Sequence, residues 1–241
     1  MLNNELLNID VWLKCNKLSI NVQKTNYVIF RPIQRKVNHS FSLSFGGQLL
    51  NQSNVTKFLG VYLDEHLTWK YHINFACKQI AKSVGILSRT RFYLSCKTKL
   101  MLYYTLIYLY ITYCNYIWSS TYVFNLHRIY YLQKRAVRAV TNSDYRAHTA
   151  PLFSKLKILD IFQINTLDIA KFMFRYHNNL LPPLFRNLFV TNSQVHAYDT
   201  RTAGNYRMHS CIAFWNCLPA SITNLSSFPT FKNKVLEFLL K

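Results

Sequence analysis

Acidic side chains are scarce in this sequence: 9 Asp and Glu stand against 29 Lys and Arg, leaving a formal charge of +20. So few carboxylates leave one adjacent pair, Asp64-Glu65, for any metal held by acids. The six cysteines include no C-x-x-C pair, and His209, Cys211 and Cys217 match no common zinc spacing. The first eight residues are polar and lack a basic start, which excludes a secretory signal there. A reduced intracellular protein with mostly buried thiols, in nucleus or cytoplasm, is the expectation. Repeats and low-complexity tracts are also missing. Half of the chain is apolar and 16% is aromatic, too much for a chain disordered throughout.

The positive charge is uneven. Residues 1–68 carry 7 basic and 4 acidic side chains, 69–149 carry 12 and 1, and 150–241 carry 10 and 4. The middle third, whose one acid is Asp144, is the electrostatic centre and points to a polyanionic partner. Charge is absent from Leu100 to His127, a stretch long enough to span a bilayer. Tyr103, Tyr104, Tyr108, Tyr110, Tyr113 and Tyr116 are among the tyrosines along it, however, and tyrosine suits membrane interfaces rather than the hydrocarbon centre. A buried helix in a helical bundle accounts for it better than a membrane span.

Periodicity predicts an α+β chain, mainly α. Leu2, Leu6, Ile9 and Leu13 recur at helical spacing over 2–17. Strands are expected at 26–31, at 41–45 through Gly46-Gly47 into 48–50, and at 55–63, where Gly60 permits a bulge or a close backbone approach. Together they make a small antiparallel sheet. Helices are expected near 69–91, 96–117, 122–141, 160–179, 206–217 and 229–240, with Asp160 as a cap and Pro229 in a first turn. Pro182-Pro183 and residues 191–205 mark loops. The regions are then 1–68, 69–149 and 150–241.

On a helical wheel, Trp69, Ile73, Ala76, Ile80, Val84 and Leu87 share one face, while Lys78, Lys82 and Arg89 cluster on another. In the 122–141 helix, Leu126, Ile129, Leu132, Val137 and Val140 lie opposite Arg128, Lys134, Arg135 and Arg138. Solvated helix faces are the plain account of such runs. The lack of acidic partners one turn away makes phosphate binding the stronger one. For Trp118, Trp215 and the tyrosines, packing in a core is favoured over base stacking.

Four patterns, in this order, carry a resemblance. Asn16, Leu18, Asn21, Lys24 and Thr25 fit N-x-L-x-x-N-x-x-K-T, leading into a strand that ends at Phe30. Phe58-Leu59-Gly60-Val61 is followed by Asp64 and Trp69. Tyr103, Ile107, Tyr113, Cys114 and Trp118 precede Leu132-Gln133-Lys134-Arg135-Ala136-Val137-Arg138. His196, Tyr198, Thr200 and Arg201 come before Phe214-Trp215-Asn216, Leu218-Pro219, Phe228 and Phe231-Lys232. The series resembles the C-terminal half of reverse transcriptases from jockey-like non-LTR retrotransposons, over essentially the whole chain. Leu109 departs from the family's proline, which suggests a straighter helix, and Ile212-Ala213 departs from its Gly-Pro.

That resemblance implies a palm remnant with a primer-grip strand, a basic helical thumb and a helical C-terminal region. It implies that Lys24 stands near nucleotide phosphates, although a plain loop lysine in an N-x-x-K-T turn has equal claim. It implies that Phe58, Leu59 and Gly60 lie beside a primer's 3′ end, although the two side chains read more readily as core. The F/Y-x-D-D hairpin of the family is expected ahead of residue 1. Tyr62-Leu63-Asp64-Glu65 imitates it on the wrong side of the F-L-G strand, and reads as a strand end leading into a helix. The expected partner is RNA, DNA or an RNA–DNA duplex, with no small-molecule substrate and no cofactor; Mg2+ belongs to the full-length polymerase. Catalysis by this chain alone is not expected. An adopted nucleic-acid-binding module and a membrane-associated protein are the alternatives.

Overall fold

The computed structural model describes residues 2–35, 42–185, 211 and 214–240. The chain folds as two compact units, Met1–Asn74 and Phe75–Lys241, and its architecture is α+β, mainly α.

The first unit opens with α1 (Leu2–Cys15), which has no buried residue. Strands β1 (Asn26–Tyr27), β2 (Ser44–Phe45), β3 (Gln48–Leu49), β4 (Asn51–Gln52), β5 (Val55–Phe58) and β6 (Val61–Asp64) follow. They form three separate pairs rather than the single antiparallel sheet expected. β2 and β3 are a hairpin turned by Gly46 and Gly47 at φ 56° and 79°. That hairpin lies within the connection from β1 to β4, so the chain returns alongside β1 in the same direction, and this pair is parallel.

The 55–63 stretch is also not one strand. Leu59 and Gly60 take φ 45° and 85°, the two positive values that reverse a chain within a two-residue loop, and β5 and β6 pair antiparallel with Phe58 opposite Val61. Gly60 thus sits in a turn, not a bulge. At the far end of the hairpin, Asp64 is buried, and its carboxylate accepts hydrogen bonds from the backbone N–H of Thr68 (2.9 Å) and Trp69 (3.0 Å). This carboxylate fixes the corner where Trp69 takes φ 64° before α2 (Lys70–Thr90) begins.

The second unit contains most of α2, then α3 (Cys96–Tyr103), α4 (Leu109–Thr112), α5 (Asn115–Trp118), α6 (Val123–Thr141), α7 (Ala150–Leu156), α8 (Ile161–His177), α9 (Ala220–Thr223) and α10 (Phe228–Leu239). The expected 96–117 helix is interrupted. A π turn spans Tyr104–Tyr108 just before Leu109, so the loss of proline has not kept the helix regular. The helix stops at Tyr113, and Cys114 adopts φ 52°. Buried groups hold this break: Trp118 Nε1 donates to the Tyr113 carbonyl (2.7 Å), and Asn115 Nδ2 donates to that of Ile111 (3.0 Å). Tyr103, Ile107, Ile111 and Trp118 are fully buried, so part of the uncharged stretch lies in the core, while Met101, Leu109, Tyr113 and Ile117 are exposed and the stretch is not the wholly buried helix expected. Among the described residues, no helix is long and apolar enough to cross a membrane.

The core is tied by one buried amide. Gln133 on α6 donates to the Tyr103 hydroxyl and the Leu159 carbonyl, both at 2.9 Å, and accepts from Ile161 N–H at 3.0 Å. It therefore joins α3 to the entrance of α8, where Asp160 and Gln163 form a reciprocal cap. Burial pushes the Tyr103 hydroxyl's pKa well up. Phe174 and Phe231 meet at 4.5 Å between centroids and bring α10 onto α8. The thiols are less buried than expected: Cys15, Cys96 and Cys217 are exposed. The 206–217 helix, residues 191–205, His196 through Arg201, His209, Ile212 and Ala213 lie wholly or largely outside the described residues.

Candidate nucleic-acid interface

α2 buries Ile73, Ala76, Ile80, Val84 and Leu87 and leaves Lys78, Lys82 and Arg89 exposed, so its apolar and basic faces separate as the wheel predicts. Along α6, Leu126, Ile129, Val137 and Val140 are buried, and Leu132 is half-buried. Its four cations are placed differently from one another. Arg135 is exposed, whereas Arg128, Lys134 and Arg138 are partly buried. Arg138 Nε donates to the Ala147 carbonyl at 3.0 Å, and Lys134 Nζ lies 4.1 Å from the centre of the Tyr130 ring. Arg138 thus has a structural duty that the sequence does not reveal.

The helices α2 and α6 approach each other at both ends. The charge of Arg128 reaches Cys77, where it opposes the burial that pushes the thiol's pKa up. At the other end, Arg91 Nη2 donates to the Ser143 carbonyl at 3.2 Å. Two basic helices thus run in the same direction through a unit where acids are few.

Aromatic side chains add a feature that sequence reasoning missed. Phe124 and Tyr131 are 75% and 61% exposed. At about 100° per residue they fall on the arc that carries Arg128, Arg135 and Arg138. Their wheel positions were the available signal, obscured by the general tendency of aromatics to be core. Trp118 and Trp215 follow that tendency. Trp118 is buried, and Trp215 stacks on His177 at 4.7 Å while tilting against Phe231.

In the first unit, Asn21 Oδ1 accepts from Lys24 N–H at 3.2 Å, and the Thr25 hydroxyl donates to the Asn21 carbonyl at 2.9 Å. Asn21 and Thr25 thus shape the N-x-x-K-T turn and leave the Lys24 side chain exposed. Phe58 and Leu59, which read more readily as core, are 63% and 74% exposed at the β5–β6 tip, because the reversal at Leu59-Gly60 projects them beyond the paired strands. The buried member of this motif is Val61.

The Asp64-Glu65 pair is committed elsewhere. Asp64 caps the turn before α2, and Glu65 receives Arg31 at 3.1 Å with His66 at 3.5 Å. Among the described residues, no three of His, Cys, Asp and Glu group as metal ligands.

The chain is 27% identical over 173 residues, 70% of its length, to the probable RNA-directed DNA polymerase from transposon X-element of Drosophila melanogaster. It is 25% identical over 182 residues, 74% of its length, to the probable RNA-directed DNA polymerase from transposon BS of the same fly. It spans 18% and 20% of those two proteins, about a fifth of their length. No family model and no solved structure matches it.

Proposed function

We propose that this chain is the post-catalytic part of a jockey-like retrotransposon reverse transcriptase and that its role is to hold nucleic acid. In this reading, the first unit supplies a palm segment with the primer grip at Phe58, Leu59 and Gly60, and α2 and α6 belong to a thumb. Residues beyond 150 would be the helical C-terminal region. The observation that carries it is the exposure of Lys78, Lys82, Arg89 and Arg135 on a helical unit with so few acids. Cations in that setting suit phosphates of RNA, DNA or an RNA–DNA duplex, read without regard to sequence. Similarity to two transposon polymerases supports the same reading.

Nucleotide transfer in such polymerases uses metal ions held by carboxylates. The donor set here does not fit them, because Asp64 and Glu65 are engaged in the turn and with Arg31. Mg2+ is assigned to the longer polymerase, and no step is derived through it. Lys24, exposed beside its turn, would meet nucleotide phosphate only in that setting. A chain adopted as a binding module would use the same helices.

The test is a primer-extension and binding pair. Purified chain should extend no primer with Mg2+ or Mn2+, yet bind a primer–template with an affinity that falls steeply as salt rises. Nucleotide incorporation overturns the first half, and absence of binding at low salt overturns the second.

A further inference from the structure

Three of the most exposed aromatic rings sit at one pole of the helical unit. Phe92, Tyr93 and Tyr145 are 77%, 87% and 79% exposed. Rings of this kind normally bury 150–250 Å2 each, so leaving three in water forgoes a large part of their packing free energy.

The pole is pinned, and its pieces come from distant parts of the chain. Arg91 Nη2 donates to the Ser143 carbonyl at 3.2 Å, while its guanidinium lies 4.8 Å from the Phe92 centroid. Lys99 Nζ donates to the Arg91 carbonyl at 3.0 Å and to Asn142 Oδ1 at 2.5 Å. Arg138 holds Ala147, and Asp144 Oδ1 accepts from Arg146 N–H at 2.8 Å. The 91–93 turn is thereby fixed beside the 142–147 loop. Around it Arg89, Lys97 and Arg146 are exposed, against Asp144 as the local acid.

We infer that this pole is a stacking platform for unpaired nucleotides of a single-stranded nucleic acid, a site that adjoins the phosphate-binding face of α2 and shares Arg89 with it. The inference rests on the nucleic-acid reading above. Exposed rings among cations suit a strand whose bases have free faces and whose phosphates are anionic. A duplex, with its bases already stacked on each other, would make use of the cations alone. A second copy of this chain is a poorer occupant, because it would bring Arg89, Lys97 and Arg146 against their own counterparts.

The experiment measures anisotropy of a labelled oligouridylate and a blunt duplex of equal length, each titrated with the full chain over a range of salt. Phe92→Ala, Tyr93→Ala and Tyr145→Ala should each weaken single-strand binding about five-fold or more, as loss of one stacked base requires. Their salt slope and duplex affinity should stay unchanged, and Tyr93→Phe and Tyr145→Phe should bind as the unaltered chain does. Unaltered single-strand affinity in the triple alanine variant overturns the inference. So does a change from dimer to monomer on sizing with single-strand affinity intact, which would mark a contact between copies. If Lys78→Glu and Lys82→Glu weaken duplex binding while the ring variants change nothing, the platform alone falls. If the unaltered chain binds neither probe at low salt, the nucleic-acid reading falls with it.

Discussion

The ammonium of Lys99 lies 2.5 Å from Oδ1 of Asn142, at the point where α6 ends in a left-handed residue with φ 57°. The same ammonium donates to the carbonyls of Arg91 and, at 3.4 Å, Ala139. A cation is thus held against the closing carbonyls of α6 and the turn after α2, where helix dipoles favour positive charge. Burial lowers its pKa, yet three acceptors surround it.

Lys99→Met keeps the aliphatic stem and removes every donor. The variant is expected to lose about 2–4 kcal/mol of stability, because the buried Ala139 carbonyl and two less buried acceptors lose their charged donor. Denaturant titration of the full chain measures it. Asn142→Gly should lose less, since glycine accepts the left-handed conformation while one acceptor disappears.

The β5–β6 tip makes a separate prediction. Leu59 holds φ 45°, a conformation that costs a branched, exposed leucine and costs asparagine little. Leu59→Asn creates the favoured two-residue turn sequence Asn-Gly and should raise the unfolding midpoint, by about 0.5–1 kcal/mol in stability. Gly60→Val, at φ 85°, should lower it by about 1–2 kcal/mol. Scanning calorimetry of both variants checks the two signs together. If the exposed ring and leucine serve a primer, Leu59→Asn should also weaken primer–template binding while stabilising the protein.

His72 is 4% exposed, and burial lowers its pKa below the ordinary 6.5. A depressed folded-state value means that the unfolded chain takes up the proton first. Its contribution to stability is therefore complete above about pH 6.5 and is lost as pH falls through the lower, folded value. Unfolding midpoints should decline from pH 7 towards pH 5, and His72→Phe should flatten that decline. His177, also lowered by burial but exposed at its rim, should contribute a smaller part of the same slope.

α2, α6, α8 and α10 were legible because one apolar residue per turn specifies a buried face, and Asp160 and Pro229 announce starts that the backbone obeys. The hairpin was not, because Val55 to Leu63 has strand composition throughout and a leucine gives no sign of positive φ. Nothing in the sequence sets Lys99 apart from the other lysines, since its acceptors lie 8, 40 and 43 residues away. The basic faces were visible as patterns, but which arginine is free and which is bound to a loop carbonyl is a tertiary fact.

Arg135 and Arg138 turn that distinction into an experiment. They are three residues apart on α6, and the wheel treats them alike. Arg135 is exposed, whereas Arg138 Nε donates to the Ala147 carbonyl. Arg135→Ala should leave the unfolding midpoint unchanged and reduce the slope of log affinity against log salt by about one for a duplex, as loss of one phosphate contact requires. Arg138→Ala should lower stability by about 1–2 kcal/mol, because it leaves a loop carbonyl without its donor. Arg138→Lys, lacking the planar fork, should restore charge but not the full midpoint. Equal effects of Arg135→Ala and Arg138→Ala on both measurements would show that the two side chains are interchangeable, contrary to the geometry of α6.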